Sequence, residues 1–356
     1  VRLFECQGCG NPVHFDNGSC VACGRRLGWF PAESLVTALD QTDAGYVALA
    51  GRRPVFLCDN ADAAGCTGLR GAEEGPGLCT ACRHNRTIPD ASTLANAAAW
   101  RRIEAAKRHL FYSIMKFGLP CPTRAEDPVR GLAFDFLADG IQPDGDVGPA
   151  MTGHASGVIT IALAEADDAE RERRRTGLGE PYRTLLGHFR HEVGHYFWDR
   201  LVADPGGHDA FRAIFGDERL DYAEALERHY ASGPVAGWQG SYVSAYAAVH
   251  PWEDFAETFA HYFHMVDGLE TAHAFGIRVR PRVRNAEGLQ ATAPFDPYHA
   301  ESAAGLVEAW VPVTVAINAV NRSVGQPDLY PFVLSEAVTR KLAFVHDLVR
   351  GAWPGR

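Results

Sequence analysis

Apolar and polar positions along this chain follow two periods, and the change from one to the other marks its elements. From Thr93 to Phe117, Ala98, Trp100, Ile103, Ala106, Leu110 and Ile114 recur at helical spacing. That pattern predicts a helix ended by the segment Gly118–Pro122. Gly131–Leu137 alternates and His154–Leu163 is β-branched at its centre, so each predicts a strand, and a helix follows from about Glu165 to Gly177. Leu185, Phe189, Val193 and Phe197 then draw an apolar stripe at every fourth residue, on a helix stopped by Asp204–Gly207. Further helices are predicted over Phe211–Phe215 and Asp221–Tyr230. Pro251, suited to a first helical position, opens another that runs to Asp267 and ends at Gly268. Two closing helices span Ala300–Val324 and Phe332–Arg350. Tyr46–Ala50 and Pro54–Cys58 predict short strands bounded by Gly45 and Gly51. Arg83–Asn96 has the polarity of a linker, Asp139–Pro149 that of a loop, and residues 276–300 show no usable period.

The 356 residues, 46% hydrophobic and 22% charged, have the composition of a globular chain. The pattern predicts an α+β protein in two parts. An N-terminal zinc-ribbon module spans 1–85, and a mainly helical zincin-like domain with a small sheet spans 86–356. A formal net charge of −10 argues against a nucleic-acid partner, since phosphate binding draws on clustered Lys and Arg. The longest apolar stretch, Ala304–Val320, is interrupted by Glu308, Pro312 and Asn318 and falls short of a membrane span. With no signal-peptide pattern either, the expectation is a cytoplasmic protein with no membrane partner.

Cysteine spacing changes the picture at the N-terminus. Cys6 and Cys9, then Cys20 and Cys23, form two CxxC knuckles, each able to bend two thiolates onto one ion, and together they make a tetrahedral four-cysteine zinc site. Cys58, Cys66, Cys79 and Cys82 predict a second four-cysteine site, disulfides being the alternative that an oxidising compartment would require. Metal would supply much of the folding free energy of a module with little core of its own. Cys121 is left without a partner and reads as an ordinary buried thiol.

The stretch His191-Glu192-Val193-Gly194-His195 carries the chemistry. It has the HExxH spacing, which on a helix sends two imidazoles from one face to a single metal, with Glu192 beside the open coordination position. Two imidazole nitrogens suit zinc, and a catalytic zinc takes a third protein ligand. Glu253, near the start of the Pro251 helix, is the best candidate, with Asp254, Glu257 and His261 as competitors. Glu257, one turn on, is placed to accept a hydrogen bond from His191, and Asp199, one turn past His195, to orient that ring.

These residues carry a resemblance. Glu253-Asp-Phe-Ala-Glu257 is similar to the ExxAE form of the gluzincin third-ligand motif in metalloproteases of the lethal-factor and Pro-Pro endopeptidase types. There the first Glu binds zinc, and a Tyr seven residues earlier stabilises the oxyanion. That position here is Tyr246, with Tyr242 as a rival. The whole order also resembles a bacterial zinc-binding metallopeptidase family with an N-terminal zinc ribbon. The shared features are the cysteine knuckles, Phe134–Asp139, Gly187–His195 and His250–Glu257. The resemblance implies one catalytic and two structural zinc ions and a peptide or protein substrate, with the ribbon available to recruit a protein partner. Zinc would activate water and polarise the scissile carbonyl, with Glu192 as general base and Tyr246 donating to the oxyanion. Hydrolysis of a non-peptide amide or an isopeptide bond uses the same chemistry. A non-catalytic zinc-dependent scaffold would not need Glu192.

Overall fold

The computed structural model describes residues 1–43, 45–141, 147–148, 150, 152–178, 184–292 and 295–351. Packing separates the chain into two units, Val1–Arg174 and Arg175–Arg356.

In the first unit, β1 (Phe4–Glu5) and β2 (Pro12–Val13) form the hairpin of the first knuckle. A five-stranded antiparallel sheet follows in sequential order: β3 (Leu27–Phe30), β4 (Leu35–Thr42), β5 (Gly45–Ala48), β6 (Arg53–Leu57) and β7 (Leu69–Gly71). Phe30, Leu39, Ala48, Val55 and Leu69 form its small core. Only β5 and β6 were legible as strands. All four residues of β3 are buried, so it shows no alternation.

The polar segment after Cys82 is not a linker. Its residues Asn85–Thr87 form β8, which pairs in parallel with β9 (Ala133–Leu137) across the long helix α1 (Leu94–Phe117). Thr93 caps α1 by accepting from the Asn96 N–H at 3.2 Å, and Gly118, at φ 65°, ends it. After the short pair β10 (Gly140–Ile141) and β11 (Val147–Gly148), the strand expected over His154–Leu163 is instead a hairpin. Ser156 and Gly157 both take positive φ, 48° and 82°, and turn β12 (Gly153–Ala155) onto β13 (Val158–Ala162). The resulting mixed sheet has the order β12-β13-β9-β8. Phe15 packs edge-on against Tyr112 of α1 at 5.3 Å, and His109 of α1 bonds Asp16 at 2.8 Å. The division drawn from composition at 85/86 therefore falls inside one packed unit. The chain is an N-terminal zinc ribbon followed by a mixed α+β region, a correction to the mainly helical domain with a small sheet. The loop Asp139–Pro149 lies largely outside the described residues. Helix α2 (Asp168–Leu178) runs across the division between units.

The second unit is built around α6 (Pro251–Ala274), which packs against α3 (Leu185–Trp198), α4 (His208–Phe215), α7 (Ala303–Ser323) and α8 (Glu336–Val349), while α5 (Tyr222–Ser232) buries only Ala225. Phe197 stacks on Phe259 at 5.4 Å, and Phe259 on Phe263 at 4.6 Å. The helix from Pro251 does not end at Gly268. A Cβ there would lie 2.4 Å from the Trp310 ring of α7, so the glycine serves close packing and the helix continues. Residues 276–300 hold the short antiparallel pair β14 (Arg278–Val279) and β15 (Ala291–Thr292). Helix α7 runs through Pro312 and is longer than its interrupted apolar pattern suggested. Among the described helices it alone is long and apolar enough to cross a membrane, with mean hydropathy 1.5, while Leu306, Trp310 and Val313 are buried within the protein.

Candidate metal centres and active site

Both cysteine sets converge. In the first, Cys6 and Cys23 sulfurs lie 3.7 Å apart and those of Cys9 and Cys20 3.6 Å. In the second, Cys66 lies 3.7 Å from Cys79 and 3.6 Å from Cys82, with Cys58 completing the group. Four sulfurs about 2.3 Å from a central zinc would stand about 3.8 Å from one another, so these spacings fit tetrahedral sites of four thiolates each. No cysteine is in a disulfide. The second set has a buried counter-charge beside it: the Lys107 ammonium bonds Glu104 at 2.9 Å, and Glu104 lies 3.8 Å from the Cys82 sulfur. Cys121 stays apart, its thiol pushed up to about 11 by burial, which suits an inert side chain.

The third cluster lies wholly within the second unit, where α3 crosses α6. Gly194 makes the crossing close: a Cβ there would meet Ala256 Cα at 3.0 Å and its carbonyl oxygen at 3.2 Å. Across this contact, Glu253 Oε2 lies 3.0 Å from His191 Nε2 and 3.5 Å from His195 Nε2, and the two nitrogens are 3.2 Å apart. His191 Nδ1 donates to Glu257 Oε1 at 2.7 Å, and Ser244 Oγ donates to the other Glu257 oxygen at 2.6 Å. That bond fixes the tautomer, so His191 presents a lone pair at Nε2. Lone pairs of two imidazoles and a buried carboxylate meet at one point, an arrangement that repels itself without a cation and suits zinc with two nitrogens and one oxygen.

The electrostatics agree. Burial would depress the His191 pKa, yet Glu253 and Glu257 raise it well above its usual value. Burial would raise the Glu253 pKa, yet His195 and His191 hold it well below the carboxylate range. Glu257, against the same burial cost, is held at about 2 by His191. A positive charge is favoured here.

Other candidates are placed elsewhere. The competing ligand Asp254 pairs with Lys341 at 2.6 Å. His261 bonds the Tyr330 hydroxyl at 2.7 Å and packs on Phe332. Tyr242 lies under the Lys341 ammonium at 4.2 Å, whereas the Tyr246 ring centroid is 5.9 Å from that of His191. Asp199 follows α3 directly, and its N–H bonds the His195 carbonyl. Glu192 is half-buried on α3 and has no hydrogen-bond partner among the described residues.

Several contributors were not legible beforehand. Trp252 lies face to face with His195 at 3.8 Å. His250 caps α6 by accepting from the Trp252 N–H at 3.1 Å, while its Nε2 donates to the Leu220 carbonyl at 3.1 Å and fixes the approach to α5. Tyr222, the first residue of α5, donates to Glu253 Oε1 at 2.8 Å. The His250-Pro251-Trp252 string was visible, but its roles depend on partners remote in sequence.

The site defines a class, an HExxH helix joined by a glutamate from a second helix. The comparisons agree with it. Residues 96–348 match a family described as "Putative zinc-binding metallo-peptidase", and residues 3–93 match a zinc-ribbon domain. The chain belongs to this zinc-binding metallopeptidase family. It is 41% identical over 353 residues, 98% of this chain and 95% of theirs, to uncharacterized proteins of Mycobacterium bovis and of two strains of Mycobacterium tuberculosis. No solved structure matches it.

Proposed function

We propose that this chain hydrolyses peptide bonds with a zinc ion held by His191, His195 and Glu253, that its second unit is a zincin of the gluzincin type, and that the two cysteine-held zinc ions of the ribbon are structural. The observation that carries the reading is the meeting of three ligand atoms within one coordination sphere, with Glu192 beside them and without a competing hydrogen bond. Zinc, when bound, supplies a Lewis acid that polarises the scissile carbonyl and acidifies a water molecule. Glu192 takes the water proton and delivers it to the leaving amine. Glu257 keeps the proton of His191 on Nδ1, and Tyr246 offers its hydroxyl to the developing oxyanion. Recruitment of a protein substrate or partner by the ribbon belongs to the same proposal.

The test is Glu192→Gln in the full chain, with zinc per chain and cleavage of a peptide mixture measured together. Loss of a general base lowers the rate by about 10²- to 10⁴-fold. The expected result is that loss with zinc content unchanged; hydrolysis at the wild-type rate would refute the mechanism.

A further inference from the structure

Glu253 has two carboxylate oxygens, and the structure gives them different partners. Oε2 faces the Nε2 atoms of His191 and His195 at 3.0 and 3.5 Å. Oε1 faces away and accepts the Tyr222 hydroxyl proton at 2.8 Å. The Tyr222 proton is thereby committed, so in its hydrogen bond with Tyr246 the Tyr222 oxygen accepts and Tyr246 donates. A directed chain results, from Tyr246 to Tyr222 to Glu253. Aromatic edges hold Tyr222 in place: its ring lies 5.4 Å from that of His250 and 6.1 Å from that of Trp252, the residue that packs on His195. The backbone just before α5 is tied to His250 through the Leu220 carbonyl. With only Ala225 buried, α5 gains little from a core, yet it delivers a hydroxyl to the most buried ligand of the site, Glu253, which is 2% exposed.

We infer that Tyr222 is a positioning residue for the zinc carboxylate, holding Oε1 of Glu253 so that Oε2 alone is offered to the metal, and giving the Tyr246 hydroxyl its partner before substrate arrives. The inference rests on the zinc-site reading above. It assigns Tyr222 no contact with the reacting atoms. A hydrogen-bonded ligand is held in orientation and charge, and loss of such a partner costs a metal site about 10- to 100-fold in affinity.

Zinc retention in the full chain decides it. Zinc-loaded wild type, Tyr222→Phe, Tyr246→Phe and Glu253→Gln are dialysed against graded EDTA, with zinc per chain and thermal midpoint measured for each. The expected result is that Tyr222→Phe releases the third zinc at roughly 10- to 100-fold lower chelator than wild type. Tyr246→Phe retains it as wild type does, Glu253→Gln loses it outright, and the midpoints of the two tyrosine variants are unchanged. Wild-type retention by Tyr222→Phe overturns the inference and leaves the zinc reading standing. A wild type that never holds a third zinc overturns both. Should Tyr222→Phe lower the midpoint, Tyr222→His, which keeps an aromatic N–H donor, is compared with it. Retention nearer to wild type than the Phe variant supports the inference, and equal loss overturns it.

Discussion

Adding one methyl group at Gly194 tests whether the site is set by the distance between two helices. A Cβ there would sit 3.0 Å from Ala256 Cα, 3.2 Å from its oxygen and 3.4 Å from its Cβ. Two of these are backbone atoms, so no rotamer change relieves the contact. Ordinary carbon contacts begin at about 3.5 Å, and α3 and α6 must therefore separate by roughly half an ångström at the crossing. Alanine gains about 1 kcal/mol of helix propensity over glycine, and overpacking costs about 1–3 kcal/mol. The net loss is about 0–2 kcal/mol. For a unit of roughly 180 residues that lowers the unfolding midpoint by up to about 8 °C. The effect on metal is larger than the effect on fold. Gly194 stands between His191 and His195, and Ala256 is three residues from Glu253, so the separation moves the carboxylate from the two nitrogens directly. Zinc ligand distances tolerate only about 0.2 Å. The expected outcome for Gly194→Ala is a modest fall in midpoint together with loss of the third zinc on dialysis against a chelator. A variant as stable as wild type that keeps three zinc ions would show that the helix crossing does not set the site.

Three further outcomes follow from the same packing and charges. Glu257→Gln removes the charge that holds the His191 Nδ1 proton and lowers affinity for the third zinc by about 10- to 100-fold, read by chelator competition. Gly268→Ala places a Cβ against the Trp310 ring and costs about 1–3 kcal/mol in urea unfolding, whereas a glycine serving only as a helix stop would give a gain. Burial holds His261 near 4, below its ordinary 6.5, with Glu257 opposing that shift. Between those values the unfolded chain binds the proton and the folded chain does not. Stability is complete above pH 6.5 and falls by up to about 3 kcal/mol as pH drops to 4. Unfolding of wild type and His261→Asn across that range measures the difference, and parallel pH slopes would exclude it.

The parts of the site legible in the sequence are those whose partners lie at a fixed short spacing. His191 and His195 are four apart on one helix face, and Cys6 with Cys9 and Cys20 with Cys23 close their own turns, so local geometry alone brings the atoms together. Glu253 and Glu257 share a turn spacing but meet the histidines only because Gly194 and Ala256 let two helices touch, a contact no local pattern specifies. The same limit hid β8, since a strand of three polar residues declares itself only when β9 pairs with it. It also made Gly268 look like a terminus, because glycine serves a stop and a close approach equally well and only Trp310 distinguishes them.

Tyr222 lies furthest beyond the reach of pattern. It stands 31 residues from the carboxylate it contacts, on a helix whose exposed surface suggests no role. What places it is the His250 side chain, whose Nδ1 starts α6 while its Nε2 holds Leu220 at the approach to α5. One imidazole thus fixes both the start of the helix that carries the zinc carboxylate and the segment that brings the hydroxyl to it. Replacing His250 would therefore disturb Glu253 from two directions, although His250 itself is not among the zinc ligands.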